Sequence, residues 1–144
     1  MSHHDLLQNI RELSVQDPVV AADIIDLCCF SSARTAGSLT VLICDSGGRL
    51  IQPVRIDDVP RRCPPAAASR ALFAPLLQFA DELNGGLVVA VGRPGGLIDD
   101  DDRRWHQIAI EECRRAGVRL FGMFVATPDR VVRLPDPDPL PAAI

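Results

Sequence analysis

The sequence predicts an α/β fold, an α+β sandwich in which helices flank a mixed β-sheet. Three observations carry that expectation. Residues 38–44, SLTVLIC, and 50–56 are apolar, β-branched runs separated by Asp45-Ser46-Gly47-Gly48, a hairpin turn. Residues 87–91, LVVAV, form a continuous apolar run of the kind buried on both faces of a sheet. A Gly-Arg-Pro-Gly-Gly loop then leads into four aspartates and a long amphipathic helix.

The elements follow in order. Leu6, Leu7, Ile10 and Leu13 recur at helical spacing, which predicts a first helix over residues 4–14. Asp17-Pro18 reads as N-cap and first helical residue of a second, ending near Ser31 with Val20, Ile24, Leu27 and Cys28 on its apolar face. Residues 31–37 read as a polar connector. The hairpin comes next. Pro53 lies inside its second strand and places that strand at an edge or bulge. Residues 66–83 form a helix with Leu72, Leu76, Phe79 and Leu83 as its stripe, and Pro75 predicts a kink or two abutting helices. Strand 87–91 follows. A helix capped by Asp99 or Asp100 then runs to Ala116, with Trp105, Ile108, Ala109, Cys113 and Ala116 inward and Gly117 closing it. Residues 118–126 and 131–134 are the last strands. The segment 135–144, PDPDPLPAAI, reads as a flexible proline-rich tail. One domain over residues 1–134 results, made of an N-terminal helical segment (1–37) and a core (38–134).

Composition narrows the function classes. At 144 residues with 47% hydrophobic content, the chain can bury a substantial core. The net charge of −4 supplies no basic field for nucleic acid, and all 15 basic residues are arginine. No apolar run is long enough to cross a bilayer and no signal-like N-terminus is present, so a soluble cytoplasmic protein is expected. Five cysteines, without CxxC spacing, read as reduced core residues.

The candidate chemistry lies between residues 92 and 106. Asp99, Asp100, Asp101 and Asp102 complement a helix N-terminus, and four carboxylates exceed what capping requires. A divalent cation held by Asp101, Asp102 and His106 is the alternative, although consecutive helical residues point about 100° apart and do not converge on one ion. The loop of Arg93, Pro94, Gly95 and Gly96 resembles an anion cradle but lacks a Walker lysine and has aspartates where an anion would sit. Arg93 is expected to be exposed, paired with Asp99 or Asp100, and available to a partner's acidic surface. His106 reads as a partly buried helix histidine and Trp105 as a core anchor. No Ser/His/Asp or Cys/His set is visible.

Through VAVGRPGG, then IDDDDR, then AGVRLFGMFVATPDRVVRL, residues 38–134 resemble the JAB/MPN fold, most closely its bacterial RadC-like branch. That branch places an HNHPSG loop after a strand, then a Ser/Asp-containing turn, a helix and a further strand. Pro94 and Gly96 match its proline and glycine, and Asp102 or Asp101 matches its metal-binding aspartate. Its two histidine ligands fall on Val91 and Arg93, and its serine is missing. Glutamate occurs only at positions 12, 82, 111 and 112, so the upstream acid/base glutamate is missing as well. The resemblance therefore implies a pseudoenzyme without cofactor: a scaffold or binding module for a protein partner or for a second copy of itself. Arg93, Pro94, Gly95, Gly96 and Asp99, and the sheet edge at Pro53, are its contact candidates. The competing expectations are a metal-dependent hydrolase built on Asp99 to Asp102 with His106, and a small-anion or nucleotide binder at residues 92–96.

Overall fold

The computed structural model describes residues 9–29, 34–35, 37–60, 62 and 65–136. Within them lie α1 (Pro18–Cys28), β1 (Ser38–Cys44), β2 (Leu50–Asp57), α2 (Ala66–Glu82), β3 (Gly86–Gly92), α3 (Asp100–Ala116), β4 (Arg119–Ala126) and β5 (Val131–Arg133). The strands form one mixed sheet in the order β2-β1-β3-β4-β5. Only β3 and β4 run parallel, joined through α3. The expected α+β class is thus observed.

Each face of the sheet has its own core. Leu39, Val41 and Ile43 of β1, with Leu87, Val89 and Val91 of β3, pack under α2 and α3. The alternate residues Leu42, Cys44, Val88, Ala90 and Phe124 pack under α1. This alternation is the period-two side-chain geometry of a strand. It explains why β1 and β3 read as unbroken apolar runs: every residue in both is buried.

Local chemistry accounts for the boundaries. Asp17 caps α1 by accepting from the Val19 amide at 2.9 Å. In the hairpin, Asp45 Oδ1 accepts from the amides of Gly47 and Arg49, both at 2.9 Å, while Gly48 takes φ +79°. Such a backbone favours glycine. Gly86 lies so close to β4 that an added Cβ would stand 2.4 Å from the Arg119 carbonyl oxygen. Pro53 sits opposite Leu42 on the outermost strand, as its missing N–H requires.

Several expectations need correction. Of the helix expected over residues 4–14, residues 1–8 lie outside the described set. Helical backbone ends at Ile10, and Ser14 instead forms a bridge with Arg49 of the hairpin. The second helix stops at Cys28 rather than near Ser31. Pro75 does not divide α2; it lies on the solvent side, where water can satisfy the carbonyl it leaves unbonded. The buried face of α2 is Phe73, Leu76, Leu77 and Ala80, and Phe79 is 41% exposed. The rotation follows from α2 meeting both the sheet and α3. Ala116 is exposed in the last turn of α3. Of the tail, residues 137–144 lie outside the described set, as does Cys63. Cys29, Cys44 and Cys113 are buried free thiols and Cys28 is half-buried. Burial, with help from Asp45 and Glu112 respectively, pushes the Cys44 and Cys113 thiols up to about 12.

Arg34, in the stretch read as a polar connector, is a buried clamp. Its guanidinium donates to the Cys29 carbonyl (2.8 Å), the Asp26 carbonyl (3.0 Å) and carboxylate (2.8 Å), and the Thr127 carbonyl (3.0 Å). It ties the C-terminal end of α1 to the turn between β4 and β5. Replacing it with methionine keeps the aliphatic bulk and strands buried carbonyls, each worth about 1–3 kcal/mol. Arg34→Met is expected to lower unfolding free energy by about 2–4 kcal/mol in denaturant titration. A loss below about 0.5 kcal/mol would contradict this role.

Candidate functional site

The site is built at the C-terminal end of β3, where the chain leaves the sheet and returns as α3. β3 is the central strand and delivers Arg93 into the interior rather than to the surface. Its side chain is 3% exposed, against the expectation of an exposed arginine. The reason is Asp102. Nε donates to Asp102 Oδ1 at 3.0 Å and Nη2 to Oδ2 at 2.7 Å, a two-pronged pair whose carboxylate is itself 2% exposed. Such fork-on-fork geometry is the strongest form of this ion pair. The predicted partners Asp99 and Asp100 are not the ones used.

The guanidinium also fixes the loop. Nη1 donates to the Gly95 carbonyl and Nη2 to the Leu97 carbonyl at 2.7 Å. Glycine is needed at Gly96, whose φ is +96°. Asp99 caps α3 by accepting from the Asp102 amide at 3.0 Å, and Asp102 Oδ2 accepts from the Asp99 amide at 3.0 Å, a reciprocal capping box. Asp102 thus accepts three hydrogen bonds, from Arg93 twice and from Asp99. One buried carboxylate holds the end of β3, the loop and the start of α3 together.

The remaining sequence candidates scatter. Asp100 is 95% exposed at its side chain and pairs with Arg103 at 2.8 Å. Asp101 is half-buried in the first turn of α3, and Pro94 is exposed. His106 is buried one turn beyond Asp102, beside Trp105, which anchors the core as expected. Burial holds the His106 imidazole below its ordinary range, and Asp136 and Arg133 act on it in opposite senses. Among the described residues, no three His, Cys, Asp or Glu side chains come together in a metal-binding group.

The zinc of an active JAB/MPN site would not fit these residues. Val91 is an apolar core residue at the place of one histidine, Arg93 is a cation at the place of the other, and both Asp102 oxygens are already bonded. Open coordination positions are needed for such a metal, and this constellation offers none. An anion at the loop meets a similar obstacle. The arginine's charge is matched by Asp102, and four of its five N–H groups are spent on the carboxylate and two carbonyls.

Two features were not legible beforehand. A groove of about 580 Å³ lies along α3, between Ile98, His106, Ile110 and Leu134. A smaller cavity of about 300 Å³ sits beside the Arg93 loop, between Leu97, Ile98, Thr127, Arg130 and Val132. Both depend on the return of the chain through β5 to Leu134, which joins the core that α3 covers, a placement that local sequence does not announce.

Removing one member of a buried ion pair leaves the other uncompensated, at about 3–5 kcal/mol. Arg93→Ala and Asp102→Ala should each lose about that much in thermal or denaturant unfolding. Arg93→Met with Asp102→Leu should lose clearly less than the two single changes added. Additive losses would mean the pair is not coupled. For His106 the folded-state pKa is depressed below 6.5. The stability it confers is complete above 6.5 and is lost as pH falls through the depressed value. The slope of stability against pH over about pH 7 to 5 should therefore flatten in His106→Gln, as read by unfolding at stepped pH. An unchanged slope would contradict that burial.

No protein-family model matches this chain, and no curated protein matches it.

Proposed function

We propose that the protein is a non-catalytic binding module of JAB/MPN-like architecture that engages a partner protein through the Arg93 loop and the surface beside it. The observation that carries this reading is the saturation of the Arg93–Asp102 pair. The junction between β3 and α3, a common place for chemistry in α/β proteins, is filled by a neutral, buried pair that holds a loop still. The loop then displays Leu97, which is 78% exposed while its carbonyl is bound to Arg93. An exposed apolar side chain on a tethered loop, at the rim of the smaller cavity, is a suitable anchor for a protein interface.

Four unpaired thiols among the described residues support a reducing cytoplasm as the working compartment. No helix among the described residues is long and apolar enough to cross a membrane. The hydrolase alternative would draw on Asp99 and Asp102, whose carboxylates are already engaged, and the anion-binding alternative on Arg93, whose charge Asp102 already matches.

The reading is tested by two measurements on the whole chain. A photo-crosslinking amino acid at Leu97 should give a discrete protein adduct in cells, whereas the same group at Phe79, exposed on α2, should not. Calorimetric titration with zinc, and separately with phosphate, should give the same baseline heats for the native chain and for Asp102→Asn. Stoichiometric zinc or phosphate binding that Asp102→Asn abolishes would overturn the reading, and so would the absence of any adduct specific to Leu97.

A further inference from the structure

One stripe of α3 serves neither core. Arg103, His106, Gln107 and Ile110 recur at the spacing of a single helix face and line the groove of about 580 Å³. Ile110 is half-buried, yet it packs with neither core cluster. His106 is 7% exposed and makes no hydrogen bond among the described residues. Its ring nitrogens are not sealed in the core, where Thr40 Oγ1 is the one enclosed polar side-chain atom left without a partner among those residues. They open onto the groove instead. Leu134, Pro135 and Asp136 complete the lining, so the chain runs along the groove up to the last described residue.

Residues 137–144 therefore start at the groove, and they read Pro-Asp-Pro-Leu-Pro-Ala-Ala-Ile. Proline at alternate positions fixes φ and favours a polyproline II path, which advances about 3.1 Å per residue. Leu140 then has about 12 Å of chain between itself and Asp136. Arg103 and Ile110, at the two ends of the stripe, are about 10 Å apart along α3. The reach of Leu140 thus matches the length of the groove. Such a path makes no internal hydrogen bonds, and proline supplies a carbonyl without an N–H. The segment is accordingly rich in free acceptors, and the His106 ring has an N–H to donate.

From this continuity we infer that residues 137–144 of the same chain occupy the groove, with Leu140 seated against Ile98, Ile110 and Leu134 and a segment carbonyl accepting from His106. The tether decides between this occupant and others. A segment joined to the groove through its own lining is present at an effective concentration of at least the millimolar order, which a free partner has to exceed. Its three prolines also reduce the entropy lost on docking. A second copy's segment enjoys neither the short connection nor that concentration. While seated, the segment closes the groove to other ligands and covers Ile98, which also borders the cavity beside the Arg93 loop. The inference goes beyond the binding-module reading and does not depend on it.

The test is nuclear Overhauser spectroscopy on the full-length chain with labelled Leu and Ile methyl groups. Cross-peaks between the Leu140 and Ile110 methyls are expected, and they should persist on dilution. Leu140→Asp should abolish them and shift the Ile110 methyl and His106 ring signals. Val19→Asp, at a position 68% exposed on α1, should leave those signals in place. Acylation of the His106 ring by diethylpyrocarbonate, followed residue by residue by mass spectrometry, should quicken several-fold in Leu140→Asp. Absence of the Leu140–Ile110 cross-peaks from the native chain would overturn the inference. So would a His106 acylation rate that Leu140→Asp leaves unchanged. Cross-peaks that arise only between a labelled and an unlabelled copy would assign the groove to a second copy and overturn it as well. All of these results leave the module reading to be decided by crosslinking at Leu97.

Discussion

The buried pair of Arg93 and Asp102 is the constraint around which the functional end of this molecule is organised. A buried carboxylate and a buried guanidinium are each costly to remove from water. Together, with both Asp102 oxygens bonded and three of the arginine's nitrogens donating, they satisfy one another. The result is less a source of net stability than a device for specificity. It admits one arrangement of the end of β3, the loop and the first turn of α3. The capping box between Asp99 and Asp102 shares an oxygen with the ion pair, so the helix start and the loop are set by the same atom.

That constraint reaches further through α3. The helix is registered at its first turn by Asp102, and its buried face of Trp105, Ala109 and Cys113 then meets the sheet beside α2. The same registration places His106 and Ile110 opposite Leu134, which forms the groove. On the opposite face of the sheet, Arg34 joins the end of α1 to the turn that launches β5. Two buried arginines thus fix the two sides of the edge that β5 presents. One holds the loop next to it and the other holds the turn before it.

How much of this was readable in the sequence depends on the range of the interaction. The hairpin was legible because Asp45, Gly47 and Gly48 act on their immediate neighbours. The start of α1 was legible because Asp17 caps two residues ahead. The aspartate run announced the start of α3, and the structure chooses Asp99 over Asp100 as its cap. Arg93 was misread because an arginine next to Pro94, Gly95 and Gly96 has the composition of an exposed loop. The available signal was the spacing of Asp99 and Asp102, which turns the second carboxylate back toward the loop that precedes it. Arg34 was not legible at all, since its partner Thr127 lies 93 positions away. The face of α2 was misassigned because a helix touching both a sheet and another helix buries a wider, rotated stripe. The grooves beside β5 are products of tertiary return and leave no local trace.

The central claim is that Arg93 is a structural counter-ion, held in the interior and closed to ligands. The most direct measurement is the side-chain guanidinium resonance of Arg93 by ¹H–¹⁵N spectroscopy, assigned by its loss in Arg93→Met. The account predicts an Nε proton protected from solvent exchange, unmoved by added zinc or phosphate. A resonance averaged with water, or one that shifts in proportion to either ion, would contradict it.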